Sequence, residues 1–400
     1  MRMLTVVLRI APATILVTLG MLPVFLVSSL SVLMDAEVGL TESRIGIAIA
    51  VNFLVAMLVS FSAGQLTQRL GVRVGFAFGA LGTVLGLLIV ASAGTWRTVL
   101  VAMAFSGGAT AFLQVAANLS IAMSIPPARL GVAYSVKQSA IPMATLSAGL
   151  AVPLVAAVLP WRWVFMLAAL GVATAWFVRG SGASTGSRAE VRPTTRLRWP
   201  PLAVLSLGIG GAAAAATSMS AFIVPFLVSI DVTARSAGLA LAVGSIATIV
   251  GRIGVGLARD RWDLDGLAVV PIQTGLGAVA LSLIARPSPG GLLLGVAIMV
   301  GFSAGWAWSG IFTDAVVRRA PSAAAATTGV TQAGVYLGSG GGPLAFGLLA
   351  EHQGYPGAWL TSAALFLMST VLIVAGRRLL DRRGLAGGVV SLDEERRVMR

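Results

Sequence analysis

The sequence predicts an all-α membrane protein, with twelve transmembrane helices in two pseudo-symmetric six-helix bundles. Three observations predict it. Of the 400 residues, 57% are hydrophobic and only 10% charged, against roughly a quarter charged in soluble proteins. Apolar runs of about 20 residues recur along the chain, each long enough to span a bilayer as a helix. The second half also repeats the first. Gln332 recurs where Gln138 stands, and Gly238 and Gly256 are spaced as Gly46 and Gly64 are. Two six-span halves in the same orientation are the parallel repeat of many secondary transporters.

Taken in order, the first half holds runs at 10–34, 45–66, 74–94, 98–124, 131–156 and 161–178. The second holds 201–230, 236–258, 266–285, 290–317, 323–350 and 358–376. The first run is too long for a signal-peptide core and shows no clear cleavage site, so it reads as a span. Residues 1–178 and 201–376 are then the two bundles. Between them, 179–200 is rich in Gly, Ser, Thr, Pro and Arg, a linker composition. Residues 377–400 form a charged tail.

Arginine placement sets the orientation. With the N-terminus inside, the outer loops hold Arg44, Arg97, Arg162, Arg235 and Arg286; Lys137 and Arg252 lie within spans; every other basic residue falls inside. The positive-inside bias therefore puts both termini and the linker in the cytoplasm. The same bias accounts for the net charge of +14, so no nucleic-acid partner is expected. There is no Cys and a single His, His352, so neither disulfides nor a metal site are expected. A Walker A loop needs Lys before Ser or Thr, and here Lys137 precedes Gln138. No cofactor is expected, and no nucleophile–base pair suggests an enzyme. Preference for Arg over Lys, with abundant Ala, fits a GC-rich bacterial genome and so a bacterial cytoplasmic membrane.

The stretch GVAYSVKQSAIPMAT, 131–145, holds the only Lys of the chain. A cation at membrane depth costs a few kcal/mol to insert, which makes Lys137 a functional-site candidate. It falls roughly 9 Å from the inner end of its span, at 1.5 Å per residue. An ammonium there could meet a carboxylate or another anion. The competing reading is a structural Lys that snorkels inward. Gln332, Tyr336, Ser339 and Pro343 share one helix face, as do Gln138, Pro142, Thr145 and Gly149. Lipid favours neither face, so both should point inward, either lining a cavity or joining helices as polar glue. Gln114 and Asn118 share a face of the fourth span, where the tenth offers Trp308 and Phe312. On one continuous helix, Trp306 would lie opposite Trp308. Asn52 is a further candidate. Arg252 and Asp314 are the other charges at depth; they read as a structural ion pair or gate, with Asp314 as a proton carrier the alternative.

Gly64, Leu66, Arg69, Gly71 and Arg73 match a Gly-x-Leu-x-Asp-Arg-x-Gly-x-Arg loop, with Gln68 in the acidic position. A second copy carries Asp260 and Arg261. With twelve runs and a basic central linker, the chain resembles the major facilitator superfamily over its full length. The phrases around Lys137–Gln138 and Gly329–Pro343 look most like its cyanate-permease-like branch. That resemblance implies that the loop charges latch the cytoplasmic side in the outward-open state, though Gln68 removes one charge of the first latch.

The expectation is a secondary transporter of a small anionic solute, working by alternating access around a wet cleft into which Lys137 projects. Gln138, Gln332 and Tyr336 would orient the solute, and glycines at 338 and 340–342 would let helices approach or bend. The partners are the solute, the lipid bilayer and, as a candidate, a coupled proton. A monomer suffices for this architecture. Efflux of a hydrophobic compound, with Lys137 structural, is the alternative, and a non-transporting membrane receptor or scaffold is a third.

Overall fold

The computed structural model describes residues 3–126, 130–179, 199–286, 291–319 and 324–383. Among these residues there is no strand. The first half comprises α1 (Met3–Ser29), α2 (Ser31–Val38), α3 (Glu42–Leu70), α4 (Val72–Ala91), α5 (Trp96–Ser124), α6 (Leu130–Gln138), α7 (Ala140–Ala151) and α8 (Trp161–Arg179). The second comprises α9 (Trp199–Ser229), α10 (Ala234–Trp262), α11 (Gly266–Ile284), α12 (Gly291–Ser303), α13 (Trp308–Arg319), α14 (Ala324–Gln353) and α15 (Tyr355–Arg383). Of the expected linker, residues 180–198 lie outside the described residues, as does the tail beyond Arg383.

Ten spans among the described residues are long and apolar enough to cross a membrane. The two remaining runs are occupied by α8, whose apolar part Trp161–Phe177 is shorter, and by the 30-residue α14. Hydroxyl and carboxyl caps set several helix starts. Thr95 accepts from the Thr98 amide, Thr233 from that of Ser236 and Asp265 from that of Leu267, which satisfies backbone donors that a helix start leaves open. Between α3 and α4 the chain turns at Gly71, φ +97°, a region that a Cβ disfavours.

Two apolar runs are broken. The run at 131–156 divides at Ser139 into α6 and α7 and ends in a π-helical turn, Val152–Ala156. The run at 290–317 divides at 304–307 into α12 and α13. The first break has a local cause: Pro142 has no N–H for the carbonyl four residues back, that of Gln138.

Within the first half α4 packs on α5 and α8, and α1 on α5 and α7; within the second α9 packs on α14 and α15, and α11 on α15. The α9–α14 contact is made of small residues. A Cβ built on Gly210 would lie 2.9 Å from the Gly334 carbonyl, and one on Gly338 or Gly342 would strike the backbone of α9. Such residues let helix backbones approach in a membrane. Of the glycines expected to bend or admit neighbours, Gly338 and Gly342 thus face α9, Gly340 faces α3, and Gly341 has nothing within 4 Å.

The halves meet along α3–α14, α7–α10 and α1–α9. A Cβ on Gly46 would lie 2.5 Å from the Pro343 carbonyl, and one on Gly149 2.7 Å from that of Gly238. At this same end the Ser43 amide donates to Glu351 at 2.9 Å, and the Tyr355 hydroxyl donates to Glu42 at 3.1 Å. The Ser28 hydroxyl donates to the Ala221 carbonyl. Toward the opposite end, a Cβ on Gly64, Gly256 or Gly329 meets nothing within 4 Å. Close backbone packing between the halves is therefore concentrated at one end.

Candidate functional site

Lys137 lies in the last turn of α6, immediately before the break. It is 4% exposed, and its ammonium donates to the side-chain carbonyl of Gln114 on α5. The expectation of an amine projecting into a wet cleft is not met, because Gln114 covers it. An ammonium carries three donors. Among the described residues Gln114 supplies the one acceptor, and no carboxylate lies within ion-pair distance.

The other residues read from the sequence divide by position. Thr145 reaches Ser245 on α10 at 2.7 Å, and Gly149 abuts Gly238 and Ala242. Pro343 abuts Gly46, and Tyr336 stacks at a tilt on Phe53 of α3 with 6.4 Å between ring centroids. Thr145, Gly149, Tyr336 and Pro343 thus turn toward the opposite half, at the seam between halves. Gln332 and Gln138 are half-buried, and the Gln138 carbonyl accepts from Arg252 of the second half. Ser339 turns instead to Thr217 of α9, 3.2 Å away.

Asn118 is exposed, and its carbonyl accepts from the Tyr134 hydroxyl at 3.5 Å. Asn52 is buried between α3 and α5, where its amide donates to the Met103 carbonyl at 3.2 Å. It joins two helices of one half and lies off the seam. Trp306 and Trp308 are both buried. The angular argument that set them on opposite sides does not hold, because residues 304–307 leave the helix. Trp306 packs edge-on against Phe25 and Phe302, at 6.2 and 6.1 Å. The indole N–H of Trp308 has no hydrogen-bond partner among the described residues.

Arg252 and Asp314 do not pair with each other. Arg252 donates to the Gln138 carbonyl at 2.5 Å and to the Trp306 carbonyl at 3.0 Å. Asp314 is held by Arg259 at 2.9 Å and by Arg318 at 3.0 Å. Helix spacing explains the exchange: Arg252 and Arg259 are two turns apart on one face of α10, and Asp314, near the end of α13, is level with the second. Nothing in the repeat pattern singled out Arg259, which aligns with Thr67. Asp265, Arg319 and Arg377 were missed too. Asp265 pairs with Arg319 at 2.8 Å and Arg377 at 2.9 Å, joining α11, α13 and α15. Its place as a helix N-cap was the available signal.

The expected loop is reduced to Gly71, which makes the turn, because α3 runs on to Leu70 and α4 starts at Val72. Gly64 and Arg69 are therefore in α3 and Arg73 in the first turn of α4; Gly64 stands open, and Arg69 and Arg73 are exposed without an ion pair among the described residues. Arg261 is exposed in the last turn of α10. The backbone of Asp260 is helical; its side chain lies outside the described residues.

Residues 13–343 match the sequence model of the Major Facilitator Superfamily. The chain belongs to that superfamily. Solved transporters share its shape. A D-xylose–proton symporter aligns with TM-score 0.77 at 12% identity, over 91% of this chain and 96% of that one. A bacterial homologue of the human lysosomal transporter Spinster, inward-facing and occupied, aligns with TM-score 0.73 at 15% identity, over 92% and 96%. A nucleoside transporter aligns with TM-score 0.73 at 13% identity, over 92% and 99%. No curated protein matches the sequence. As a superfamily member the chain is a multi-pass membrane transporter of small solutes rather than an enzyme.

Proposed function

We propose that this superfamily member moves a small anionic solute across the bacterial cytoplasmic membrane by alternating access, with both termini cytoplasmic. The observation that carries the anion reading is the Lys137 ammonium, buried against one neutral oxygen. Two of its donors lack partners among the described residues, and an unmet buried donor is costly. A carboxylate or a small inorganic anion would meet them. Gln138 and Tyr336 lie along the seam that such a solute would enter, and Gln332 is one turn from Tyr336 on the same helix face. With the termini inside, the tightly packed end at Gly46, Gly149, Gly238 and Pro343 is the outer one, so the solute would approach from the cytoplasm in this state.

Asp314, clasped between two guanidiniums, is a structural anchor in this reading. A coupled proton would have to load elsewhere. The junction of α3 with α4 would serve as the latch of the opposite state, in which Arg69, Arg73 and Arg261 find the ion pairs they do not make among the described residues here.

A second reading has one observation in its favour. Phe25, Phe302 and Trp306 form an edge-to-face cluster beside the break at 304–307, which suits an apolar compound. A thermal-shift screen against small carboxylates, cyanate, nitrate and hydrophobic drugs separates the two, since a ligand of the folded state raises the melting temperature. Counterflow in proteoliposomes then confirms movement. Lys137→Ala should weaken the stabilising anion at least ten-fold, about 1.4 kcal/mol. Unaltered affinity in that variant removes the anion reading.

A further inference from the structure

One carbonyl in the membrane interior is orphaned by sequence and claimed by the opposite half. Pro142 cannot donate to Gln138, so the helical partner of that carbonyl is missing. The guanidinium of Arg252, on α10 of the second half, fills the place at 2.5 Å. Its other terminal nitrogen holds the Trp306 carbonyl at 3.0 Å, in the turn between α12 and α13. One side chain thus ties both broken spans together across the seam. Arg suits this task because its planar fork presents several donors at fixed angles, where Lys offers a point charge. Among the described residues Arg252 has no carboxylate partner, so its hydrogen bonds here go to backbone.

The tie also sits next to Lys137. Gln138 is the last residue of α6, and the orientation of its carbonyl fixes the turn that presents the ammonium. Farther along the same α7–α10 seam come the Thr145–Ser245 contact and the Gly149–Gly238 approach.

We infer that Arg252 is a positioning residue of the transport cycle: by holding the proline-orphaned Gln138 carbonyl it keeps the α7–α10 seam shut and couples the Lys137 turn to movement of the second half. This rests on the alternating-access reading but not on the identity or charge of the solute.

The test needs no solute. The chain lacks Cys, so Ser245→Cys places a single thiol in the seam, where Ser245 is fully buried. Its rate of reaction with N-ethylmaleimide reads opening. Arg252→Ala should raise that rate about ten-fold, and Arg252→Lys should recover part of the protection. Pro142→Ala supplies the missing N–H and draws the carbonyl back into the helix. In that background Arg252→Ala should change the rate less than three-fold. An equal effect with and without Pro142 overturns the inference, because Arg252 would then act through packing alone. Should Arg252→Ala not fold, Arg252→Lys with and without Pro142→Ala gives the same comparison. Gly149→Val, which wedges the seam directly, separates the two levels. Labelling in the wedge variant with none in the Arg252 variants removes the role of Arg252. No labelling even in the wedge variant removes alternating access at this seam, and the inference with it.

Discussion

Lys137 and Gln114 face each other across the α5–α6 contact, the ammonium donating to the amide oxygen. A neutral acceptor satisfies one donor and leaves the positive charge uncompensated. Gln114→Glu would supply the missing negative charge at nearly the same volume. Anions that stabilise the wild-type chain should then lose at least ten-fold in affinity, while the melting temperature without ligand holds or rises. Thermal shift with and without the anion checks both. Undiminished anion binding in Gln114→Glu would show that the solute does not meet Lys137.

Gly46 lies where α3 crosses α14. A Cβ there would stand 2.5 Å from the Pro343 carbonyl and 3.1 Å from the Leu344 Cα. Both are backbone atoms, so the helices must part rather than a side chain turn aside. Overpacking of this kind costs about 1–3 kcal/mol. Gly46→Ala should open the end of the seam at Ser43 and Glu351. A lone thiol at Ser43→Cys should react several-fold faster with maleimide in that background.

Asp265 should carry an acid-side stability signal. Burial raises its pKa, but the hydrogen bond and charge of Arg319, the Leu267 amide and the charge of Arg377 outweigh this and hold it below its ordinary value. A depressed folded value gives stability that is complete above the unfolded value near about 3.9 and fades as pH falls through the folded one. Asp265→Asn keeps a good N-cap and removes the ion pairs. It should lower stability by about 1 kcal/mol at neutral pH, given partial exposure. The difference from wild type should shrink below pH of about 4, as melting curves across pH would show.

Asp314 sits between Arg259 and Arg318, 16% exposed. Asp314→Asn should lower stability by about 1 kcal/mol, because the variant loses the ionic half of its contact with the partly buried Arg259, while the pair with the 62% exposed Arg318 is screened by solvent. The response of uptake to an imposed pH gradient should be unchanged. Loss of that response with stability intact would make Asp314 a proton carrier after all.

Much of this architecture was legible from hydropathy, because a bilayer demands apolar runs whatever the tertiary contacts. The repeat was legible as well, since Gly46 and Gly238 do corresponding work where helices cross between halves. The seam faces followed from helical spacing: Thr145, Gly149, Tyr336 and Pro343 all meet the opposite half. What was not legible were the partners. Beside Lys137, Arg252 and Asp314 were the charges evident at depth, yet one binds carbonyls and the other binds Arg259, a choice set by helix register in space. The break at 304–307 was also hidden, since an apolar run reads alike whether continuous or turned. Pro142 did announce the first break, but the sequence could not show which side chain would take the freed carbonyl. Asn52 looked like a lining residue because polarity in a span does not reveal which neighbour it faces.

The glycine-to-glycine contact of α9 with α14 has a mechanical consequence. Where two backbones touch without side chains between them, there is no compliant layer to absorb displacement. The pair should travel as one beam, so that a probe on α9 registers motion begun at Tyr336. A bulky substitution at Gly210 or Gly338 would act like a loosened rivet, leaving each helix folded while the stroke between them is lost.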